Sequence, residues 1–258
     1  MGLLVLAAEG EFEPPSSRDF ELPAIVGDVT KPMVLAVLGA VLVAVFFYMT
    51  ARRAAVVPGR LQFAGEGVYG FVRNGVARDV IGDHEFLKYV PYLVTLFSFI
   101  LINNVFGIIP FIQFPTMSRI AFPMVLAIIS WLLFLFIGVR RHGLVSYFKE
   151  MMFPPGVPKP VYVLLAPIEF VSTVLVRPLT LALRLFANMF AGHLLLLVFI
   201  LGGEHLLASG GLLALVSVPA FLLGIVLTFF EFLVQVLQAY IFTLLSALYI
   251  AGSLADEH

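Results

Sequence analysis

The sequence contains no cysteine and has few charged residues. The chain therefore has no disulfide, no thiolate metal site and no cysteine nucleophile. Charged residues make up 12% of the 258 positions, about half the share usual in soluble proteins, whereas 61% are hydrophobic. The formal net charge of −1 gives no indication of a nucleic-acid partner. This composition predicts a protein that spans a lipid bilayer.

Motifs for catalysis or cofactor binding are missing as well. Residues 65–70 match G-x-G-x-x-G, but they lack the strand–turn–helix context that a dinucleotide site requires. His84 and Glu85 begin an H-E-x-x-H zinc motif, but Lys88 occupies the position of the second histidine. No G-x-S-x-G nucleophile motif occurs. These absences argue against an enzyme, a bound cofactor and a metal site.

Long apolar segments are what the sequence does contain. Three of them have the length of single spans: Pro32–Thr50, Tyr89–Ile109 and Ile120–Val139. Two more, Val161–Leu201 and Leu212–Leu254, exceed the roughly 20 residues that cross a bilayer upright. Each must tilt strongly, lie partly along the membrane, or bend. We predict an all-α membrane protein with about five membrane segments, the last two forming a long, strongly tilted hairpin with its tip at 202–211.

The remaining segments give an orientation. Residues 58–88 are less apolar and mix apolar side chains with arginines, which predicts an amphipathic helix on the inner surface. Basic residues mark the cytoplasmic side of a membrane protein. Here they concentrate in two loops: Arg52, Arg53, Arg60, Arg73, Arg78 and Lys88, then Arg140, Arg141, Lys149 and Lys159. We predict an outside N-terminal tail, 1–31, and one polytopic membrane domain, 32–258, with a cytoplasmic C-terminus.

The first arm of the hairpin carries ionisable residues at membrane depth. Arg177 and Arg184 are seven residues apart, nearly two helical turns, so both project to one side, which also carries Thr173, Thr180 and Asn188. His193 points the opposite way. A charged residue within a span costs roughly 2.5–3.5 kcal/mol on insertion scales, so Arg184 is expected to have a function. For Arg177, a structural ion pair with Glu169 is the alternative.

The second arm carries a polar stripe. Glu231, Gln235 and Gln238 are spaced at i, i+4 and i+7, with Thr228 one turn earlier. We predict that Glu231 meets His193 across the hairpin and forms a relay that accepts and releases protons. The simpler interpretation is that His193 is only hydrogen-bonded and that the glutamines only join helices.

Three functional hypotheses remain open from the residues alone. The first is proton translocation through the hairpin. The second is a secondary transporter that binds an anionic substrate through Arg184, although the chain lacks the inverted repeats typical of that class. The third is an intramembrane hydrolase, against which the missing nucleophile and metal motifs argue.

Several motifs resemble a known family. Residues 178–192, which surround Arg184, are similar to the signature of subunit a of F-type ATP synthases. Residues 237–242, 103–110 and 167–169 and the C-terminal stretch 253–258 also resemble that family. The similarity extends from about residue 58 to the end of the chain.

The resemblance implies a stator subunit against which a ring of c subunits turns. Arg184 would face the ring, favour its ionised carboxylates and block a direct leak between two offset proton half-channels, with Gln238 as its neighbour. His193 and Glu231 would form the outer relay. In some bacterial members a glutamate stands at the first of these positions and a histidine at the second, so the pair is exchanged here. Asn104 matches a polar position near the inner path, where Gly107 replaces an acid found in some members.

Further expectations follow from the same resemblance. The residues expected to serve proton translocation are Arg184, His193, Glu231, Gln238, Asn188, Gln235, Glu169 and Asn104. The implied partners are the c-subunit ring, the peripheral-stalk b subunits and the rest of the F1Fo complex. The expected location is an energy-transducing membrane, namely a bacterial cell membrane.

Overall fold

The computed structural model describes residues 14–16, 20, 23–52, 55–83, 85–110, 112–153 and 161–254. Most of the predicted tail, the proline-rich stretch 154–160 and the last four residues lie outside the described residues. The first regular elements are two short antiparallel strands, β1 (Ala24–Val26) and β2 (Val29–Thr30), with Ala24 opposite Thr30. The sequence analysis did not predict this hairpin.

The first predicted span forms a single helix, α1 (Lys31–Arg52). Pro32 lies in its first turn, where the missing backbone N–H is of no consequence. Beyond it, the predicted amphipathic segment is helical in pieces: α2 (Arg60–Val72), a wider π-type turn (Arg73–Arg78) and α3 (Asp79–Ile81). The helical prediction for 58–88 is confirmed for residues 60–81, after which Gly82 (φ +91°) ends the helix. The position of this segment on the inner surface stays a prediction.

The second predicted span is shorter in the structure than Tyr89–Ile109. A 3₁₀ turn (Phe86–Lys88) leads into α4 (Val90–Val105), after which the chain turns. The reason lies at Gly107, which approaches Pro115 so closely that a Cβ on Gly107 would lie 3.0 Å from the Pro115 Cβ. The apolar residues after Val105 therefore form a packed turn and do not continue the helix.

The third predicted span is α5 (Ala121–His142), preceded by a 3₁₀ turn (Thr116–Ser118). Its last turn holds Arg140 and Arg141, whose cationic side chains favour a helix C-terminus. Gly143 then adopts φ +84°, and α6 (Leu144–Met152) follows.

The hairpin consists of two helical arms. The first arm combines α7 (Tyr162–Val171), a π-type turn (Ser172–Val176) and α8 (Arg177–Ala208). The second arm is α9 (Gly211–Leu254). The stretch Leu164–Ala208 has 45 residues and α9 has 44, which at 1.5 Å per residue gives about 66 Å, roughly twice the thickness of a hydrocarbon core. The argument for tilted or bent arms therefore stands.

The predicted tip of the hairpin was wrong in one respect. We expected the first arm to end at Leu201, where 202–205 read Gly-Gly-Glu-His, but α8 continues through these residues to Ala208. The turn falls at Gly210 (φ +69°) and Gly211 (φ +59°), a conformation that glycine adopts without strain. Gly203 instead permits close packing, since a Cβ there would lie 3.2 Å from the Phe221 ring of α9.

The fold is that of an all-α membrane protein, as predicted. Four helices of the described residues are long and apolar enough to cross a membrane, and α4 is a shorter apolar helix. The main core lies where α4, α5, α8 and α9 meet; its large, fully buried side chains include Leu93, Ile100, Phe134, Leu185, Met189 and Ile250. The division of the chain into a tail and one membrane domain stays a prediction.

Gly39 fixes the approach of α1 to α4. A Cβ at Gly39 would lie 2.5 Å from Nδ2 of Asn103, which is fully buried and donates a hydrogen bond to the Phe99 carbonyl. Because Asn103 has no room to move, we expect Gly39→Val to destabilise this contact by about 1–3 kcal/mol. The measurement is the thermal melting of the assembled complex. Gly67→Val is the control, since a Cβ at Gly67 meets nothing within 4 Å; equal melting of the two variants would contradict the prediction.

Candidate functional site

Arg184 lies near the middle of the 45-residue apolar stretch Leu164–Ala208, and it is exposed. None of the hydrogen bonds, ion pairs and ring contacts found among the described residues involves it. The exposed positions around it on α8 carry mostly small side chains: Thr180, Ala187 and Ala191. No group among the described residues neutralises this guanidinium, and the small neighbours leave room for another group to approach it.

Arg177 is held differently from Arg184. Its guanidinium carbon lies 5.5 Å from the centre of the Tyr249 ring, a cation–π contact with the second arm. No ion pair between Arg177 and Glu169 is present among the described residues. The structural alternative for Arg177 was an ion pair with Glu169, but its contact in the structure is with Tyr249. Glu169 is half-buried.

Thr173 departs from the predicted polar face of the first arm. It is buried, and its carbonyl accepts a hydrogen bond from the Trp131 indole of α5 at 3.1 Å, whereas Thr180 is exposed. The π-type turn at Ser172–Val176 explains this, because a wide turn rotates the preceding residues relative to a regular helix. Asn188 is half-buried.

His193 and Glu231 meet across the hairpin, as predicted. The His193 Nδ1 and the Glu231 Oε1 are 3.9 Å apart, and both side chains are 4% exposed. This distance exceeds that of a direct hydrogen bond but is within the reach of a single bridging water. Gly192 lies beside this pair, and a Cβ there would only make an ordinary contact, 3.7 Å from the Glu231 Cγ.

The polar stripe of the second arm continues from this pair into the protein. The side-chain amide of Gln235 donates a hydrogen bond to Glu231 Oε1 at 3.3 Å. The side-chain amide of Asn104, on α4, donates to the backbone carbonyl of Gln235 at 3.4 Å. Atoms of all four residues remain buried without a hydrogen-bond partner in the described part of the chain: His193 Nδ1, Glu231 Oε2, Gln235 Oε1 and Asn104 Oδ1. Four of the nine such atoms among the described residues thus lie in this string, and bound water is one explanation for them.

The structure thus groups four of the eight predicted residues and leaves four apart from them. His193, Glu231, Gln235 and Asn104 form one buried polar string. Gln238 is buried on the same stripe, but no hydrogen bond recorded among the described residues joins it to Arg184. Arg184, Asn188 and Glu169 are likewise outside the string.

Several neighbours of His193 were missed by the sequence analysis. The Phe20 ring is buried and lies 5.8 Å from the His193 ring at 73°, and the Phe20 carbonyl accepts a hydrogen bond from Arg119 at 3.0 Å. The Gln113 backbone also contacts the imidazole, with Gln113 at φ +42°. Lys31 donates to the Ile112 carbonyl at 2.6 Å beside them. No local pattern in the sequence signals these long-range contacts.

Comparison with known proteins gives the family. A family model described as ATP synthase A chain matches residues 33–251. ATP synthase subunit a of Nocardioides sp. is 52% identical, covering 99% of this chain and 98% of the relative. The subunits of Pseudarthrobacter chlorophenolicus and Streptomyces lividans are 47% and 42% identical; each alignment covers 96% of this chain, and 96% and 89% of the respective relatives. The chain belongs to the ATP synthase subunit a family, whose members are membrane subunits of the Fo sector.

Proposed function

We propose that this chain is the stator subunit that provides two proton half-channels and holds Arg184 between them. The observation that carries the proposal is a contrast within the first arm. Arg184, near the middle of the stretch Leu164–Ala208, is exposed and has no partner among the described residues, whereas His193, nine residues later, is buried against Glu231. The first arm thus presents a fixed cation outward and, facing the second arm, the imidazole of a titratable pair.

The cation would act on a ring of c subunits. An ionised carboxylate is costly in lipid, so a ring carboxylate must be neutral while it faces the bilayer. Opposite Arg184 the ionised form is favoured, and the carboxylate gives up its proton there. Because the guanidinium stays charged, it also repels protons that would pass directly from one half-channel to the other.

The buried string would serve the outer half-channel. This proposal moves Asn104, which the resemblance placed near the inner path, to the outer side, because Asn104 is hydrogen-bonded to Gln235. Carboxylate and imidazole groups exchange protons at spacings bridged by one water, and the unpartnered atoms of Gln235 and Asn104 would orient further waters. Gln238 and Asn188 would adjust the polarity beside Arg184, and Glu169 would lie on the approach to it. The potential across the membrane supplies roughly 2.3 kcal/mol per charge per 100 mV, which the turning ring passes on.

The wider assignment follows from the same proposal. The subunit is not itself catalytic, holds no cofactor, and works with the c-ring, the b subunits of the peripheral stalk and the rest of the F1Fo complex. It lies in the bacterial cell membrane with residues 32–258 as one membrane domain, its N-terminus outside and its C-terminus in the cytoplasm. Family membership disfavours the alternative of a secondary transporter that binds an anionic substrate through Arg184.

Cross-linking tests whether the Arg184 face contacts the ring. Because the chain has no cysteine, a single Ala187→Cys substitution one turn from Arg184 can be paired with a cysteine placed beside the ring carboxylate. We expect a disulfide on oxidation of the assembled complex. The control is Leu132→Cys on α5, which is 53% exposed but lies on another helix. A cross-link from residue 132 and none from residue 187 would place the ring elsewhere and refute the proposal.

A further inference from the structure

A cavity outside the proposed proton path lies at the end of α5. Its volume is about 520 Å³, and it is bounded by the 3₁₀ turn Phe86–Lys88, the last turns of α5 and the end of α9 at Leu254. Three cationic side chains border it, Lys88, Arg140 and Arg141, against one carboxylate, Glu85. Cationic side chains therefore outnumber carboxylates among the described residues that border the cavity.

The ion pairs within the cavity show which cations are available. Glu85 accepts from Arg141 at 2.9 Å and from Lys88 at 3.3 Å. Hydrogen bonds from Lys88 and Arg141 hold the pKa of the Glu85 carboxyl below its usual range, so Glu85 is ionised at neutral pH. Arg140 is exposed, and no ion pair or hydrogen bond recorded among the described residues involves it. Arg140 is therefore the cation best placed to bind an added anion.

The wall beneath these cations is apolar. On one face of α5, Leu133, Phe136 and Ile137 precede Arg140 by seven, four and three residues, so they lie directly below it along the helix. Phe136 is 61% exposed. The order along this face, a cationic end followed by an apolar wall, is complementary to an anionic head group joined to acyl chains. A free phosphate or a polar metabolite would leave the apolar wall uncovered.

We propose that this cavity binds an anionic phospholipid, with the phosphodiester at Arg140 and Lys88 and an acyl chain along Leu133 and Phe136. Basic pockets between membrane helices are a known means of binding lipid head groups. The site involves neither Arg184 nor the His193–Glu231 pair, so the proposal stands independently of the proton path.

Photolabelling of the assembled complex tests this proposal. The probes are phosphatidylglycerol and phosphatidylcholine with the same photoreactive group in the acyl chain, and labelled peptides are located by mass spectrometry. We expect phosphatidylglycerol to label residues 132–137 several-fold more than phosphatidylcholine. Arg140→Gln should lower this labelling about fivefold, whereas Arg140→Lys, which keeps the charge, should retain most of it. Glu85→Gln, which removes the opposing charge, should raise it.

The matched control is Arg60→Gln, because Arg60 is a basic residue at the start of α2 and does not border the cavity. Equal labelling by the two lipids would overturn the proposal, as would equal losses in Arg140→Gln and Arg60→Gln. Absence of label from the assembled complex would show that another subunit covers the cavity, and displacement of the lipid by millimolar inorganic phosphate would assign the cations to a free anion. Either result would refute a lipid site.

Discussion

Replacing Arg184 with alanine is expected to abolish both ATP-driven proton transport and ATP synthesis while the complex still assembles. Without the guanidinium, nothing offsets the cost of an ionised ring carboxylate at membrane depth, roughly 2.5–3.5 kcal/mol. That energy corresponds to a decrease of about a hundredfold or more in the population of the ionised state. The measurement is acidification of vesicles that carry the complex, with ATP hydrolysis by the soluble head recorded in parallel.

Arg177→Ala is the matched control for this prediction. It removes an arginine from the same arm, but one whose guanidinium already has a partner in the Tyr249 ring. We expect a loss of stability of about 0.5–2 kcal/mol and retained transport. If the assembled Arg184→Ala complex pumped at the parental rate, Arg184 would be structural and the proposed gate would be wrong.

The second large effect is expected on the rate of proton transport when His193 and Glu231, the two members of the buried pair, are replaced or exchanged. His193→Glu alone would place two carboxyl groups at this site, and Glu231→His alone would place two imidazoles there. In each single variant, charging one group opposes charging the other, whereas the parental imidazole and carboxylate carry opposite charges when both are ionised. Since a positioned acid–base group typically changes proton-transfer rates by roughly 10²–10⁴-fold, we expect each single variant to lower transport by at least about tenfold. The double variant His193→Glu/Glu231→His restores a complementary pair and should recover most of the rate.

The initial rate of proton uptake at several external pH values measures this effect. His205→Glu introduces the same substitution at an exposed position near the end of α8, far along the helix from the pair, and should transport like the parent. Two findings would contradict a relay: single variants as fast as the parent, or a double variant slower than both singles. A purely structural pair would show no change in its pH profile on exchange.

The helices were predictable because apolar composition and length specify them. The span Lys31–Arg52 and the helix Ala121–His142 agree with the predicted segments to within a few residues, since basic residues close both at their C-terminal ends. The predicted helix ends that were wrong lie near glycine residues. Gly203 was taken for a break because glycine is common in turns, but its function is to admit the Phe221 ring, which only the packed structure shows.

The site was predictable only in part for a similar reason. Helical periodicity placed Glu231 and Gln235 on one stripe, and charge complementarity suggested His193 as their partner. Phe20, Gln113 and Lys31 approach His193 through contacts that join distant parts of the chain, which no periodic pattern encodes. The π-type turn that buries Thr173 is likewise invisible, because its sequence is compatible with a regular helix.

The central claim, that Arg184 separates two half-channels, is tested most directly by passive proton flux through a membrane sector whose ring cannot turn. The disulfide from Ala187→Cys to the ring provides the lock, and stripping the soluble head leaves the membrane sector alone. With Arg184 present we expect no flux in the locked state, because protons cross only by riding the ring. Locked Arg184→Ala should conduct. A locked parent that conducts, or a locked Arg184→Ala variant that stays as tight as the parent, would contradict the account.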